Sequence, residues 1–160
     1  MAIPAILLAI AVVSLSSAGL VAVIVAIVIP EVPRVVRLVR SIVLSVREEP
    51  YVEAAIAVGT PTLPLVIRHV LPNTLPPLIV QATISFPVAI LAEAGLSYLG
   101  LGTQPPNPSW GLMLKEAQGF LGLNPWYAIF PGGAIALTVL GLNLLGDGLR
   151  DVLDPKTAAS

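Results

Sequence analysis

Residues 51–59 have the composition of a short helix that docks on another protein. A Glu-Ala-Ala run opens the predicted helix, and Gly59 ends it by adopting a positive φ. Small side chains let a helix approach a partner closely, and the larger apolar residues beside them can anchor it in a hydrophobic groove. The chemistry expected here is protein recognition, and the predicted contact residues are Tyr51, Val52, Glu53, Ala54, Ala55, Ile56 and Gly59.

Two polar residues, Glu93 and Asn143, fall inside or beside long apolar runs. A carboxylate inside a membrane helix is costly and usually faces a cavity or a partner. Glu93 therefore either lines a translocation path or dimer interface, or lies near the outer end of its helix in a structural hydrogen bond. We predict Asn143 to be a buried residue that hydrogen-bonds between helices, and it is a second candidate for the path or interface.

Charged side chains gather after the last apolar run, at Asp147, Arg150, Asp151 and Asp154. Arg150 can pair with Asp147 or Asp154, because each lies about one helical turn away. Two interpretations stay open for this cluster. It either packs on the docking helix and its partner, or it is a solvated end of the chain.

The sequence offers few residues for metal binding, catalysis or nucleotide binding. The chain has no cysteine and one histidine, which leaves no thiolate metal site and little for a Ser-His-Asp triad. It contains no G-x-x-x-x-G-K-[ST] phosphate loop, and a net charge of −1 suggests no nucleic acid partner. We expect His69 to be a satisfied interfacial residue. We expect no enzyme activity, no cofactor and no metal site.

The elements that must position these residues are membrane helices. The chain is 56% hydrophobic and 11% charged, whereas a soluble domain is roughly 25% charged. Its charge-free runs are long enough to cross a bilayer, which takes about 20 residues. We predict an all-α polytopic membrane helix bundle in a single domain, residues 1–160. The predicted spans cover 2–13 (partial), 17–46, 73–99 and 126–146, joined by loops at 47–72 and 100–125 and followed by a tail at 147–160.

Lys and Arg predict the orientation. Five arginines lie between residues 34 and 68, Arg150 and Lys156 follow the last span, and only Lys115 lies in the 100–125 loop. The positive-inside rule makes the 47–72 loop and the tail cytoplasmic, and the 100–125 loop external. We therefore expect a multi-pass protein of the cell membrane.

Residues 53–72 resemble the permease subunits of ABC importers. The signature of that family is Glu-Ala-Ala, three residues, Gly, nine residues, Ile, one residue and Leu-Pro, and this chain departs from it at His69. The branch that imports peptides and nickel often reads Arg-His-x-Leu-Pro-Asn there, which residues 68–73 match. Further segments similar to that branch are 93–102, 108–111 and 143–155.

The resemblance implies a coupling helix at 51–58 that is seated on separate ABC ATPase subunits. It also implies a homologous permease subunit as dimer partner and an extracytoplasmic substrate-binding protein that delivers peptides or similar solutes. ATP hydrolysis would belong to the partner, and closure of the ATPase dimer would drive alternating access by rigid-body motion.

The resemblance further implies that the chain is the C-terminal part of a permease, through truncation, a split gene or a misassigned start. An alternative function follows, a non-transporting membrane remnant or an assembly scaffold. A pore-forming channel is less compatible with the sequence, which has no charged ring or filter-like repeat.

Overall fold

The computed structural model describes residues 5–15 and 19–153, and within those ranges it contains helices and loops but no strand. The prediction of an all-α membrane bundle is confirmed. The helices are α1 (Ala5–Leu15), α2 (Leu20–Arg47), α3 (Pro50–Ala57), α4 (Thr62–Leu65), a π-helical segment (Val66–Val70), α5 (Leu71–Tyr98), α6 (Trp110–Ala117) with a 3₁₀ turn (Gln118–Phe120), and α7 (Trp126–Leu153).

The first two helices pack against each other. α1 ends at Leu15 and α2 begins at Leu20, and the predicted spans 2–13 and 17–46 likewise leave a break between them. The buried cluster at this end of the molecule combines small and branched side chains, which allow close helix packing. Its members are Ala9, Val13, Val23, Ala26 and Leu96.

The helical backbone runs without interruption from Thr62 to Tyr98, whereas we predicted a loop at 47–72 and a span that starts at residue 73. Pro72 lies inside this helix although it has no N–H to donate. The backbone instead adopts a π-helical register, in which the Leu71 N–H donates to the Val66 carbonyl. The Asn73 Nδ2 adds a 2.7 Å hydrogen bond to the His69 carbonyl, so the helix continues past the proline.

α7 also extends further than predicted. We expected the last span to end at residue 146 and a tail to follow, but the helix continues to Leu153. Gly146 and Gly148 lie inside it with ordinary helical backbone. Arg150 lies in its last turn, where a cation stabilises the helix dipole. The charged residues 147–153 therefore project from a helix.

Two helical segments are long and apolar enough to cross a membrane, Thr62–Tyr98 and Trp126–Leu153. Only 11% of the most apolar stretch of each is buried within the chain, and large side chains such as Phe130 and Leu137 are exposed. Core helices of soluble proteins bury such residues, so these surfaces suit lipid or other membrane helices. α2 is not in this set, because charged residues begin at Glu31, and its crossing of the membrane stays a prediction.

Close contacts show that α5 and α7 run antiparallel. Thr83, near the middle of α5, lies against Gly146, near the end of α7. The short helix α6 packs against Ala94, near the end of α5, and also contacts Gly132, near the start of α7. The end of α7 therefore lies at the same end of the bundle as the start of α5, opposite the 100–125 loop.

Candidate functional site

Local hydrogen bonds define both ends of α3. Pro50 takes the first helical position, where a missing N–H costs nothing. At the other end Gly59 has φ 82. Its N–H donates to the Ile56 carbonyl at 2.9 Å, and the Thr60 N–H donates to the Ala55 carbonyl at 3.0 Å. This pair of bonds is a Schellman motif, which requires a left-handed residue at the position of Gly59.

The two faces of α3 differ in exposure. Val52 is fully buried, at 0%, and α3 packs against the end of α2 and against α4. Our prediction that Val52 anchors a partner is therefore wrong in this conformation, because its side chain attaches α3 to its own chain. Of the other six predicted contact residues, Ala55 is half-buried, and the exposed ones are Tyr51, Glu53, Ala54, Ile56 and Gly59.

An aromatic contact joins α3 to the long helix that follows it. The Tyr51 and His69 ring centroids are 6.3 Å apart, with the ring planes tilted by 43°. His69 is half-buried and belongs to the π-helical segment. Together with the burial of Val52, this contact holds the exposed face of α3 at a defined position beside the start of the 62–98 helix.

Glu93 holds a buried hydrogen-bond network at the opposite end of α5. The Ser97 hydroxyl donates to Glu93 Oε1 at 2.6 Å, and the Thr103 hydroxyl donates to the same oxygen at 3.0 Å. The Thr103 N–H in turn donates to Ser97 Oγ at 3.0 Å. Ser97 and Thr103 are buried, at 0% and 5% exposure. These bonds agree with the second interpretation of Glu93, a structural hydrogen bond near the end of its helix.

The backbone between these residues folds back tightly on α5. Gly100 has φ 80, and a second Schellman motif forms when its N–H and that of Leu101 donate to the Ser97 and Leu96 carbonyls at 2.9 and 2.8 Å. A Cβ on Gly102 would collide with Ser97. The glycines of the 93–102 segment thus bring Thr103 within reach of Glu93.

Residues 108–111 start α6 and press it onto α5. The Ser109 hydroxyl caps the helix by accepting the Leu112 N–H at 3.4 Å. Gly111 is buried, and a Cβ there would collide with the backbone of Ala94. Trp110 stays 40% exposed on the outer side. The 100–125 loop is thereby fixed to α5 at two neighbouring points.

A groove between α2 and α5 continues from this network. Glu93 lines a space of about 810 Å³ together with polar residues from the loop and apolar residues of both helices. A second space of about 270 Å³ contains Glu31 and shares four lining residues with the first, Ile27, Val28, Phe86 and Ala89. Our sequence reasoning overlooked Glu31, although a carboxylate between Pro30 and Pro33 after a long apolar run is the signal that could have found it.

The polar residues of α7 lie apart from α3 and from the Glu93 network. Asn143 is exposed on this chain and no helix of the described residues covers it, so its role at the path or the dimer interface stays a prediction. Asp147, Arg150 and Asp151 are exposed on the last turns. Among the described residues no ion pair joins Arg150 to Asp147, and Asp154 lies outside them. α7 packs against α5 and α6, whereas α3 packs against α2 and α4.

Metal binding has no candidate in residues 5–15 and 19–153, where no three His, Asp or Glu side chains form a group that could hold an ion. The candidate sites that the described residues do offer are the exposed face of α3 and the groove between α2 and α5.

Comparison with known proteins places the chain among transport permeases. It is 51% identical over 156 residues to the dipeptide transport system permease protein DppC of Alkalihalophilus pseudofirmus, covering 98% of this chain and 51% of that protein. It is 52% identical over 158 residues to the probable peptide ABC transporter permease protein y4tQ of Sinorhizobium fredii, covering 98% and 54%. It is 46% identical over 155 residues to the glutathione transport system permease protein GsiD of Escherichia coli, covering 97% and 51%.

The chain therefore spans about half the length of the curated relatives that it matches. A family model describing the inner membrane component of binding-protein-dependent transport systems matches residues 1–159, which is nearly the whole chain. The chain therefore belongs to the family of binding-protein-dependent transport system inner membrane components.

Proposed function

We propose that this chain is the part of a permease that couples ATP hydrolysis in a separate ABC ATPase to the import of peptides or similar solutes. The observation that carries the proposal is the exposed face of α3, which is fixed at its end by Gly59 and to its own chain by Val52 and the Tyr51–His69 contact. A helix held in this way can pass a displacement onward, because its neighbours move with it.

The proposed path of the motion follows the contacts. A push on α3 reaches the π-helical segment through Tyr51 and His69 and then the continuous helix 62–98. That helix carries the 100–109 loop at its far end through Glu93, Ser97 and Thr103. Alternating access is generally achieved by rigid-body rocking of one bundle of membrane helices against another around the substrate site, and helix 62–98 would move as part of such a bundle.

The partners and the cargo form part of the same proposal. The ATPase subunits dock on α3, a homologous permease subunit completes the translocation path, and an extracytoplasmic binding protein delivers the solute at the loop side. Glu93 and Asn143 are the candidates for the path or the dimer interface. A peptide cargo is favoured because the three relatives are named for dipeptides, peptides and glutathione.

Co-purification tests the docking step. The tagged chain is expressed with an ABC ATPase subunit of a peptide importer, and Glu53→Arg and Ile56→Asp change the exposed face of α3 without touching Val52. Each variant should lose about tenfold of the bound ATPase, the effect of roughly 1.4 kcal/mol at an interface hot spot. Glu116→Arg, an exposed residue of α6 at the opposite end, is the matched control. Undiminished binding by both α3 variants would reject the proposal.

Transport is tested separately from docking, in vesicles that contain the chain, a second permease, the ATPase and a binding protein. ATP-dependent dipeptide uptake supports the proposal, whereas ATPase binding without uptake would reject its transport step.

A further inference from the structure

The turn between α6 and α7, residues 118–125, exposes a contiguous apolar surface. Phe120, Leu121 and Leu123 are all exposed, and Leu123 reaches 86%. A Cβ added to Gly122 would lie in open space, so the described chain does not cover this side of the turn. Clustered exposed apolar side chains mark a site of contact with another protein or with a membrane.

Hydrogen bonds within the turn occupy several of its backbone groups. The N–H groups of Leu123 and Asn124 donate to the Phe120 carbonyl at 2.9 and 2.8 Å. Asn124 Oδ1 accepts the Trp126 N–H at 3.2 Å, at the start of α7. A backbone that is bonded to itself loses less free energy on leaving water than an open one. The turn can therefore enter a less polar medium together with its apolar side chains.

The composition of α7 indicates how deep the turn lies. α7 is one of the two candidate membrane spans, and no charged residue occurs between Glu116 and Asp147. Because about 20 residues cross the hydrocarbon core, a crossing that ends at Asp147 begins near Trp126 and Tyr127. Trp and Tyr are enriched at the boundary between lipid tails and headgroups. The turn directly precedes them, so it lies at headgroup level.

The turn and the start of α7 form one apolar surface. The ring centroids of Phe120 and Tyr127 are 5.8 Å apart, and those of Trp126 and Phe130 are 5.7 Å apart. Leu137 follows Phe130 by seven residues, on the same face of α7, and both are exposed. Protein interfaces have a polar rim, whereas this whole surface carries no charged side chain. Continuity with the exposed face of a membrane span favours lipid as the occupant.

We propose that the turn 118–125 is a membrane anchor, with Phe120, Leu121 and Leu123 inserted at the boundary between the headgroups and the acyl chains of phospholipids. Interfacial segments bury their apolar side chains about 5–10 Å deep at this level. Because the turn carries no charge, its insertion depends on apolar contact and not on anionic headgroups. The anchor keeps α6, which the turn directly follows, at the membrane surface. The inference rests on α7 as a membrane span and requires neither ATPase docking nor transport.

A spin label measures the depth of the turn. The chain has no cysteine, so Leu123→Cys gives the full chain a single labelling site in vesicles of phosphatidylethanolamine and phosphatidylglycerol. Oxygen concentrates in lipid, and a nickel chelate stays in water. The ratio of oxygen to nickel collisions should be at least several-fold higher at position 123 than for Glu116→Cys, the control at an exposed charged residue of α6. The same ratio is expected in vesicles of phosphatidylcholine alone.

Two results would overturn the anchor. One is equal collision ratios at positions 123 and 116, which would place the turn in water. The other is a label at position 123 that nickel reaches in the free chain and that becomes shielded when a purified dipeptide-binding protein is added. In that case the turn docks on a protein and not on lipid.

An added charge tests which side chains insert. Phe120→Glu and Gln118→Glu introduce the same carboxylate at two exposed positions of the turn, one apolar and one already polar. With the label at position 123, Phe120→Glu should lower the collision ratio at least several-fold, because a carboxylate is costly in a less polar medium. Gln118→Glu is the matched control and should leave the ratio unchanged. An unchanged ratio in Phe120→Glu would show that Phe120 does not enter the membrane.

Discussion

The ring of Tyr51 lies 6.3 Å from the ring of His69, so an exposed residue of α3 touches the helix that runs through the length of the bundle. His69 stands where the general family signature has Ile. The substitution gives the position a ring that can pair with Tyr51, and the contact links the proposed docking surface to the π-helical segment that leads into α5.

A double-mutant cycle measures this link. Tyr51→Leu and His69→Ile each remove one ring and keep an apolar side chain. We expect a coupling free energy of about 0.5 kcal/mol, at the low end for aromatic pairs because Tyr51 is 42% exposed. The measurement is unfolding of the four variants in mixed detergent micelles. Additive effects within about 0.3 kcal/mol would show that the rings do not interact.

Val52 should contribute more to stability than any exposed residue of α3. Val52→Ala removes two methyl groups from a fully buried position, and we expect a loss of about 1–2 kcal/mol from transfer and cavity effects. Val58→Ala, at a position that is 86% exposed at the end of the same helix, is the matched control and should change stability by less than about 0.5 kcal/mol. Equal effects of the two substitutions would contradict the attachment of α3 through Val52.

The Glu93 network should behave as a unit. Thr103→Val removes one hydroxyl donor to Glu93 with little change of shape. Ser97→Ala removes the other hydroxyl donor and also the acceptor of the Thr103 N–H. Both residues donate to Glu93 Oε1, so their effects should not add. The free energy of unfolding should fall in the double variant by at least about 0.5 kcal/mol less than the sum of the two single-variant losses. Hydrogen exchange at the Thr103 amide provides the local measurement, and it should accelerate in Ser97→Ala. Ser85→Ala, which affects only the separate Gln81–Ser85 bond, should leave that exchange rate unchanged.

The sequence predicted those features that depend on local rules. Gly59 ends α3 because its left-handed backbone closes a Schellman motif, and the apolar runs are helices because a bilayer demands satisfied backbone groups. The helix through residues 62–72 was predicted as part of a loop, although the bonds that carry it past Pro72 are local ones, from the Leu71 N–H to Val66 and from the Asn73 side chain to His69. Features that depend on tertiary contacts were not predictable in the same way.

The side-chain errors have a similar cause. Val52 and Ile56 lie on different faces of one short helix, and only the packing of α3 against α2 and α4 decides which face is buried. Asn143 faces outward from α7, and only a partner could bury it, so the sequence of one chain does not decide its environment. Glu31 lines a groove whose other wall is α5, and α5 is distant in sequence, so the neighbours of Glu31 could not be predicted.

The contact between α5 and α7 supplies a prediction that tests the antiparallel pairing itself. Gly146 is buried, and a Cβ there would lie 2.7 Å from the Thr83 hydroxyl oxygen and 3.1 Å from its Cβ. Gly146→Ala should therefore push the helices apart and cost about 1–3 kcal/mol, as overpacking does. Gly148→Ala introduces the same methyl group two residues later, where nothing lies within 4 Å, and it should be neutral or slightly stabilising because Ala favours helix. Thr83→Ala in the Gly146→Ala background removes the nearer clashing atom and should recover part of the loss. Unfolding of the four proteins in mixed micelles measures these differences, and a Gly146→Ala variant as stable as Gly148→Ala would show that Thr83 and Gly146 are not in contact.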